Sequence, residues 1–116
     1  MAGIARLKRR AEFLRVADSR RKCVTPGLIL QALPIGAPPE GLRVGFTASR
    51  KVGIAVERNR ARRRLRAAVD RLMPLHAAPG HHYVLVARTA TVGRPFAQLL
   101  GDLERALRQV GAWREG

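Results

Sequence analysis

The arginines of this chain are the residues whose type and spacing most clearly indicate a binding function. Residues 49–66 read Ser-Arg-Lys-Val-Gly-Ile-Ala-Val-Glu-Arg-Asn-Arg-Ala-Arg-Arg-Arg-Leu-Arg, which is typical of a turn followed by an arginine-rich helix. A guanidinium stays charged at any cellular pH and can donate two hydrogen bonds to one phosphate. Because so many like charges on one helix repel one another, a polyanion is expected alongside them. The segment therefore predicts a nucleic-acid interface.

The basic charge of the chain is large and unevenly distributed. The net charge is +15 over 116 residues, and residues 6–22 hold eight Lys and Arg while residues 50–71 hold nine. Only four acidic residues share those two segments. A surface that serves solubility alone mixes both signs, whereas concentrated basic patches are typical of a polyanion footprint. We expect a bound polyanion to relieve the self-repulsion of the folded chain.

Length, cysteine content and hydropathy narrow the class of protein. The chain of 116 residues predicts one domain over 1–116, and 47% of its residues are apolar, which is enough for a core. Its single cysteine, Cys23, cannot form an internal disulfide, which fits a reducing compartment. No apolar signal segment follows the basic N-terminus, and the longest apolar run, residues 83–87, is too short to span a membrane. We therefore expect a cytoplasmic protein with no membrane partner.

Hydrophobic periodicity predicts a mixed order of helices and strands. The expected elements are a helix over 11–17, strands over 24–33, 42–48 and 82–88, a long helix over 54–73 between the last two strands, and a final helix over 95–110. The second strand is expected to run antiparallel to the first across a Pro/Gly loop. The third strand is apolar enough to be central. Pro95 and Gly111 mark the start and the stop of the final helix.

The long helix is expected to serve both packing and binding. Its apolar stripe is Ile54, Ala61, Leu65, Ala68, Val69 and Leu72. Its basic residues fall on two flanks, Arg62, Arg63 and Arg66 on one and Arg60, Arg64 and Arg71 on the other, with Arg58 at the edge of the stripe. Pro74 is expected to close the helix.

The same segment carries a family resemblance. It contains Val52-x-x-Ala55-x-x-Arg58-Asn59-Arg60-Ala61-Arg62-Arg63-x-Leu65-Arg66, preceded by Ser49-Arg-Lys-Val-Gly53. This pattern closely resembles the signature of the bacterial ribonuclease P protein component. The likeness covers nearly the whole chain, since Leu7-Lys8, Glu12-Phe13, Arg43-Val-Gly-Phe-Thr47 and Tyr83-Val-Leu-Val-Ala-Arg88 also match.

Three positions depart from the family pattern. Ile54 stands where the family usually has asparagine, so any polar role at that position is lost. Ala61 stands in place of isoleucine or valine, and the helix is expected to tolerate it. Ala17 stands where relatives often place a second aromatic, one turn after Phe13, which reduces the base stacking expected of this chain.

The resemblance implies a fold and a function. The fold is an α+β two-layer sandwich of αβββαβα order with a left-handed βαβ crossover, an exception to the usual handedness. The function is that of the protein subunit of ribonuclease P, which binds the catalytic RNA and the 5′ leader of precursor tRNA. The RNA carries out the magnesium-dependent removal of the leader, and Mg²⁺ is held mainly by the RNA partner and the substrate. The protein is expected to be a monomer within this ribonucleoprotein.

The resemblance also assigns candidate site residues. The RNA-binding residues are Arg50, Lys51, Arg58, Asn59, Arg60, Arg62, Arg63 and Arg66. The leader-binding cleft is expected to use Phe13 as a stacking platform, with Lys8 and Arg9 beside it. No catalytic or metal-binding residue is assigned, since the eight acidic residues are scattered along the chain and do not form the cluster that a metallonuclease needs.

Alternative interpretations remain for individual residues. Phe13 fits a core position as well as a stacking platform, Asn59 fits a role confined to its helix, and Arg64 and Arg71 fit plain surface positions. His81 and His82 suggest a zinc site, but adjacent residues of a strand point to opposite faces.

Alternatives also remain for the class of protein. A ribosomal or other general RNA-binding protein would share the charge without the signature. A membrane-surface protein would need a broader apolar helix face. A DNA-binding helix-turn-helix would need a short helix where residues 42–48 predict a strand.

Overall fold

The computed structural model describes residues 4–36 and 42–115, which form a single five-stranded sheet with three α-helices. The strands are β1 (Ile4–Arg6), β2 (Lys22–Val24), β3 (Leu28–Pro34), β4 (Leu42–Thr47) and β5 (His81–Ala87). The helices are α1 (Arg10–Asp18), α2 (Ala55–His76) and α3 (Phe96–Gln109), with 3-10 turns at Arg50–Val52 and Thr89–Val92. The strand order across the sheet is β1-β4-β5-β3-β2.

β5 lies at the centre of the sheet, as its apolar sequence predicts. It pairs antiparallel with β3 and parallel with β4. The prediction that the first two long strands run antiparallel to each other is therefore confirmed for β3 and β4. The two strands are not adjacent, because Tyr83, Val84 and Leu85 are buried on both faces of the sheet and β5 takes the place between them.

The strand predicted over 24–33 is divided into a hairpin of β2 and β3. The turn falls at Pro26 and Gly27, and Pro26 has no N–H to donate to a ladder. The Thr25 hydroxyl accepts a hydrogen bond from the backbone N–H of Leu28 over 3.2 Å, which closes the turn. Gly27 is required at its position, because a Cβ there would lie 2.4 Å from a carboxylate oxygen of Asp102.

β1 is an additional strand that the sequence pattern does not indicate. It pairs parallel with β4 at the edge of the sheet, with Ala5 and Arg6 exposed. Three residues are too few to show the two-residue period by which a strand is recognised. The strand brings Arg6 beside β4.

The α+β class and the αβββαβα order are confirmed, with β1 added in front. β4 and β5 are parallel neighbours joined through α2, which is the βαβ connection implied by the resemblance; its handedness stays a prediction. The main core, between the sheet and the layer of α2 and α3, includes Leu30, Leu65, Leu85 and Leu103. On the other face of the sheet α1 forms a smaller cluster, in which Val16 packs with Leu7 and Val84.

α2 buries most of the predicted stripe but differs from the prediction at both ends. The buried residues of the helix are Ala61, Leu65, Ala68, Val69 and Met73. Ile54 is not among them, because it precedes the first helical residue and is 68% exposed. Pro74 lies inside the helix instead of closing it; so near the C-terminal end, its missing N–H removes only one helical hydrogen bond.

Within the described ranges, no helix combines the length and the apolar character needed to cross a bilayer.

The exposed Ile54 predicts a stabilising substitution. Ile54 is the N-cap of α2 and offers no side-chain acceptor to the first turn, although Glu57 accepts a hydrogen bond from its backbone N–H over 3.0 Å. We expect Ile54→Asn to add such an acceptor and to raise the free energy of unfolding by about 1 kcal/mol. For a domain of this size the midpoint of thermal unfolding should then rise by roughly 4 °C.

The matched control for this prediction is Val56→Asn, at a helical position that is 70% exposed. Asparagine inside a helix caps nothing and is a poorer helix former than most residues, so no stabilisation is expected there. Equal thermal shifts for the two variants would contradict the capping argument.

Candidate nucleic-acid interface

Four of the predicted RNA-binding residues form one continuous basic surface on α2. Asn59, Arg62, Arg63 and Arg66 line a shallow depression of about 500 Å³, together with the exposed Val56. They come together because positions three and four apart lie on the same side of a helix. The flank predicted from the sequence is therefore present in the structure.

Two of the polar groups of this surface are oriented by hydrogen bonds. The Arg62 guanidinium donates to the side-chain oxygen of Asn59 over 2.7 Å. Arg58 is half-buried and donates to the carbonyl oxygen of Gly53 over 2.9 Å, so part of its guanidinium is engaged with its own turn. Asn59 retains its amide N–H donors for a phosphate or a base, while its oxygen holds Arg62.

The opposite flank of α2 contains a structural arginine. Arg64 is half-buried, and its guanidinium donates to the carbonyl oxygen of Thr91 over 2.9 Å and to that of Arg94. It therefore connects α2 to the segment before α3, and the alternative of a plain surface residue is wrong. Arg60 and Arg71 are exposed.

The lead-in turn presents Arg50 and Lys51 beside the start of α2. Both side chains are exposed, whereas Val52 is buried and anchors the turn in the core. The Ser49 hydroxyl accepts a hydrogen bond from the backbone N–H of Lys51 over 3.3 Å. Gly53 follows with φ of +147°, a conformation that residues with a side chain rarely adopt. This backbone continues the positive surface of α2 around the N-terminal end of the helix.

The predicted leader cleft is divided in the structure. Phe13 is half-buried and packs against Gly45, where an added Cβ would lie 2.5 Å from two carbons of its ring. Lys8 and Arg9 are exposed and line a separate depression of about 550 Å³. Phe13 does not line that depression, so the structure places it in the packing of α1 on the sheet, with part of its ring accessible.

The Lys8–Arg9 depression also contains a carboxylate, on Glu12. Backbone N–H groups of Arg9 and Lys8 donate to Glu12 over 3.3 and 3.4 Å. These hydrogen bonds, that from Arg9 foremost, hold the pKa of the Glu12 carboxyl below its ordinary range. Arg43, 4.0 Å away, acts in the same direction.

The lowered pKa of Glu12 predicts a pH dependence of stability. A carboxyl whose pKa is lower in the folded state stabilises the fold above its unfolded pKa, and this contribution is lost as the pH falls through the folded value. We therefore expect Glu12→Gln to reduce stability at pH 7, and the difference from wild type to shrink as the pH falls from about 5 to about 3.

Urea unfolding at stepped pH measures this difference. Glu115→Gln is the matched control, because the Glu115 side chain is 82% exposed and its substitution removes the same negative charge. A gap between Glu12→Gln and wild type that stays constant with pH would contradict a role for the charge.

Side chains that bind metals do not gather in the described residues. No group of three or more His, Cys, Asp and Glu there is placed to hold a metal ion. His81 stacks on Tyr83 with ring centres 5.3 Å apart, and its Nδ1 lies 2.9 Å from the carbonyl oxygen of Pro79. Burial lowers the pKa of His82, which favours its neutral form. A zinc ion at these histidines would therefore find no group of three such ligands among the residues that the structure describes.

Two residues beside the basic surface, Arg6 and Phe46, were not predicted as site residues from the sequence. The Arg6 and Arg66 guanidinium carbons lie 5.7 and 5.8 Å from the centre of the Phe46 ring. Arg6 lies within a basic segment, so its charge was visible in the sequence. Its proximity to Arg66 depends on the pairing of β1 with β4, which no local pattern encodes.

The sequence and the fold both have known relatives. The family model described as Ribonuclease P matches residues 1–111. The chain is similar to the ribonuclease P protein component of Paramagnetospirillum magneticum, with 55% identity over 114 residues, 96% of this chain and 86% of that protein. It is also similar to the same component of Gluconacetobacter diazotrophicus, with 53% identity over 109 residues, 91% of this chain and 90% of that protein.

Solved structures share the fold at lower identity. The RNase P protein of Staphylococcus aureus matches with a TM-score of 0.74 and 20% identity, over 94% of this chain and 97% of that one. The RNase P protein of Thermotoga maritima matches with a TM-score of 0.70 and 22% identity, over 84% of this chain and 90% of that one.

Proposed function

Because the chain belongs to the family of bacterial ribonuclease P protein components, we propose that it binds the catalytic RNA of ribonuclease P and the 5′ leader of precursor tRNA. Membership makes it part of an endoribonuclease complex that processes tRNA. In the proposal the protein is a monomer of the cytoplasmic ribonucleoprotein, and the RNA performs the cleavage. The protein supplies positive charge and positions the RNA strands.

The observation that carries this proposal is the surface formed by Asn59, Arg62, Arg63 and Arg66. Its guanidinium groups come from one rigid helix that is anchored in the core, and Arg62 is oriented by Asn59. Several forked donors on one helix are suited to bind phosphates of an RNA backbone. Arg50, Lys51 and Arg60 extend the same positive field around the start of α2.

In this proposal Mg²⁺ is bound by the RNA and not by the protein. The described residues do not offer a cluster of carboxylates to hold Mg²⁺, which prefers oxygen ligands and keeps several waters. Phosphate oxygens of the catalytic RNA and the substrate would hold the ion, and the bound metal would supply an activated water. The arginines of α2 would reduce repulsion between neighbouring phosphates and so lower the magnesium concentration that the RNA requires.

The leader is proposed to pass the exposed part of Phe13 and the Lys8–Arg9 depression. Lys8 and Arg9 neutralise its phosphates, and a ring face accepts any base, which suits a leader of variable sequence. Ala17 lies on the exposed side of α1 and adds no second ring. We therefore expect the ionic part of leader binding to exceed the stacking part.

Reconstitution tests the proposal. The purified protein is mixed with a transcribed bacterial ribonuclease P RNA and a precursor tRNA, at low-millimolar magnesium where the RNA alone is nearly inactive. We expect leader removal with protein and RNA together, and none with protein alone. Tight RNA binding without rescue of cleavage would instead indicate a general RNA-binding protein, and cleavage by protein alone would place the active site on this chain.

A further inference from the structure

A third cavity, which shares Arg66 with the surface of α2 described above, lies between α2 and the edge formed by β1 and β4. It has a volume of about 350 Å³, and its walls include Arg6, Val44, Phe46, Arg66, Val69 and Asp70. We call it the Phe46 pocket. It is large enough for a small organic ligand by the usual range of binding cavities.

The aromatic ring of Phe46 lies beside two cations, the guanidinium groups of Arg6 and Arg66. Arg6 and Arg66 both place their guanidinium carbons within 6 Å of the Phe46 ring centre. This distance is typical of a cation–π contact. Both guanidinium groups line the same pocket, so an anion that contacts both would stabilise the arrangement.

A buried polar atom of Arg66 provides a second, independent observation. Its Nε is buried from solvent and makes no hydrogen bond within the described residues. Buried polar donors in proteins are almost always paired, and an unpaired one calls for an explanation. A ligand acceptor in the pocket would satisfy this donor.

The remaining walls differ in polarity. Val44 and Val69 are buried and give the pocket an apolar floor. Asp70 is exposed at the rim, and no Lys or Arg of the described residues lies within ion-pair distance of its carboxylate. The pocket therefore offers an aromatic face, an apolar floor, a pair of cations and a separate hydrogen-bond acceptor.

We propose that the Phe46 pocket binds one unstacked nucleotide of an RNA. The base lies against Phe46 and the apolar floor, and its phosphate lies between Arg6 and Arg66. The Asp70 carboxylate accepts hydrogen bonds from N–H groups on the base edge. Guanine is the preferred base, since it presents two adjacent N–H donors, whereas uracil presents one.

The Phe46 pocket differs from the surface of α2 in the part of the nucleotide that it contacts. The arginines of that surface contact phosphates and carry no information about the base, whereas an aromatic pocket with a carboxylate reads a base that has left its stack. The inference rests on the proposed function for the source of the nucleotide. A free nucleotide has the same chemistry, so the experiments must separate the sources.

The first experiment uses nucleoside monophosphates on the isotopically labelled full chain. Amide shifts in the NMR spectrum are followed during titration with GMP, with UMP and with inorganic phosphate. We expect GMP to shift residues of β1, β4 and the second half of α2 at lower concentration than UMP, and phosphate to leave the amides of Val44 and Val69 unmoved. Shifts that are the same for GMP and phosphate would overturn the proposal.

The second experiment compares Phe46→Leu with Trp113→Leu. Trp113 is a matched control, because it is also half-buried and also carries a guanidinium, that of Arg108, 4.7 Å from its ring centre. We expect Phe46→Leu to weaken RNA binding at least about fivefold, which is the smallest effect typical of losing one stacked base. We expect Trp113→Leu to leave RNA binding unchanged. Arg6→Gln, at an exposed position, removes one cation of the pocket without changing the core. Because Arg6 also lines the Lys8–Arg9 depression, this variant is judged by the amide shifts of Val44 and Val69 on GMP titration, which we expect to weaken.

Two binding measurements identify the source of the nucleotide. Weaker binding to ribonuclease P RNA assigns it to the catalytic RNA, and weaker binding of precursor tRNA to the assembled complex assigns it to the substrate; either result supports the proposal. GMP binding with no effect on either RNA would overturn it in favour of a free-nucleotide site. If the wild-type chain binds neither RNA, the proposed function fails, and the GMP titration still decides whether the pocket takes a nucleotide.

Discussion

Asp102→Ala is expected to reduce the free energy of unfolding by about 3–5 kcal/mol, because it leaves a largely buried guanidinium without its partner. Asp102 is 1% exposed, and its carboxylate pairs with Arg94 through two contacts, of 2.5 and 3.1 Å. The charge of Arg94 would then lose its acceptor in a region that excludes water. Such a loss is a large fraction of the 5–15 kcal/mol that is typical of domain stability.

The ion pair stabilises more than α3, on which Asp102 lies. The Arg94 carbonyl accepts a hydrogen bond from Arg64 of α2, and Gly27 of the β2–β3 turn packs directly against the pair. The Thr91 hydroxyl donates to the Gly27 carbonyl over 2.5 Å. Asp102→Ala should therefore loosen the contact between the turn and both large helices, and unfolding should remain a single cooperative transition at lower urea.

Glu104→Ala is the control on the same helix. Glu104 pairs with Arg108 over 2.9 Å, but both side chains are nearly half exposed, and pairs in contact with solvent contribute little. Both variants raise the net charge by one, so general self-repulsion cancels in the comparison. Urea unfolding followed by circular dichroism measures the difference. Equal losses for Asp102→Ala and Glu104→Ala would show that burial adds nothing to the pair.

Replacing Arg60, Arg62 and Arg63 together by glutamine is expected to weaken binding to ribonuclease P RNA by about 100- to 500-fold at 0.1 M salt. Each lost phosphate contact reduces the magnitude of the slope of log affinity against log salt by about 0.7–0.9, so three contacts reduce it by about 2.1–2.7. Near 1 M salt the ionic contacts contribute little, so the variant and the wild type should bind RNA with similar affinity there. From about 1 M to 0.1 M salt, one decade, the difference in slope then produces the expected loss of affinity. Glutamine is close to arginine in helix propensity, so α2 should persist.

The matched control replaces Arg105, Arg108 and Arg114 by glutamine. These residues are exposed, lie on or just after α3 and remove the same three charges. We expect only a small loss of affinity and nearly the wild-type salt slope. If the two triple variants had equal slopes, RNA would respond to net charge alone, and the assignment of the interface to α2 would be wrong. A stable fold in both variants is checked by thermal unfolding.

The periodicity of the chain predicted the helices well, because their signals are local. The apolar stripe of α2 and the terminating Gly111, with φ of +76°, depend on residues within a few positions of one another. The flank of Arg62, Arg63 and Arg66 followed from the same geometry. Its chemical meaning also followed, since a guanidinium has the same charge and donors wherever it lies.

The ends of the helices and the order of the strands in the sheet could not be predicted from the local sequence pattern. Ile54 counts as an apolar helix residue in the sequence, but it is the cap that precedes α2. β5 separates β3 from β4 because burial on both faces favours the centre of the sheet, and this is a property of the whole sheet.

The division of the arginines between structure and binding was decided by tertiary contacts. Arg62 and Arg64 are two residues apart and fall on opposite flanks of α2, but the sequence does not show which groups lie beside each flank. Arg64 donates to carbonyl groups before α3, whereas Arg62 lies on the candidate interface. The sequence by itself determined that the chain carries a basic helix of the ribonuclease P protein family. Only the tertiary structure decided which guanidinium groups the fold engages and which it leaves for a ligand, because hydrogen-bond acceptors come from segments distant along the chain.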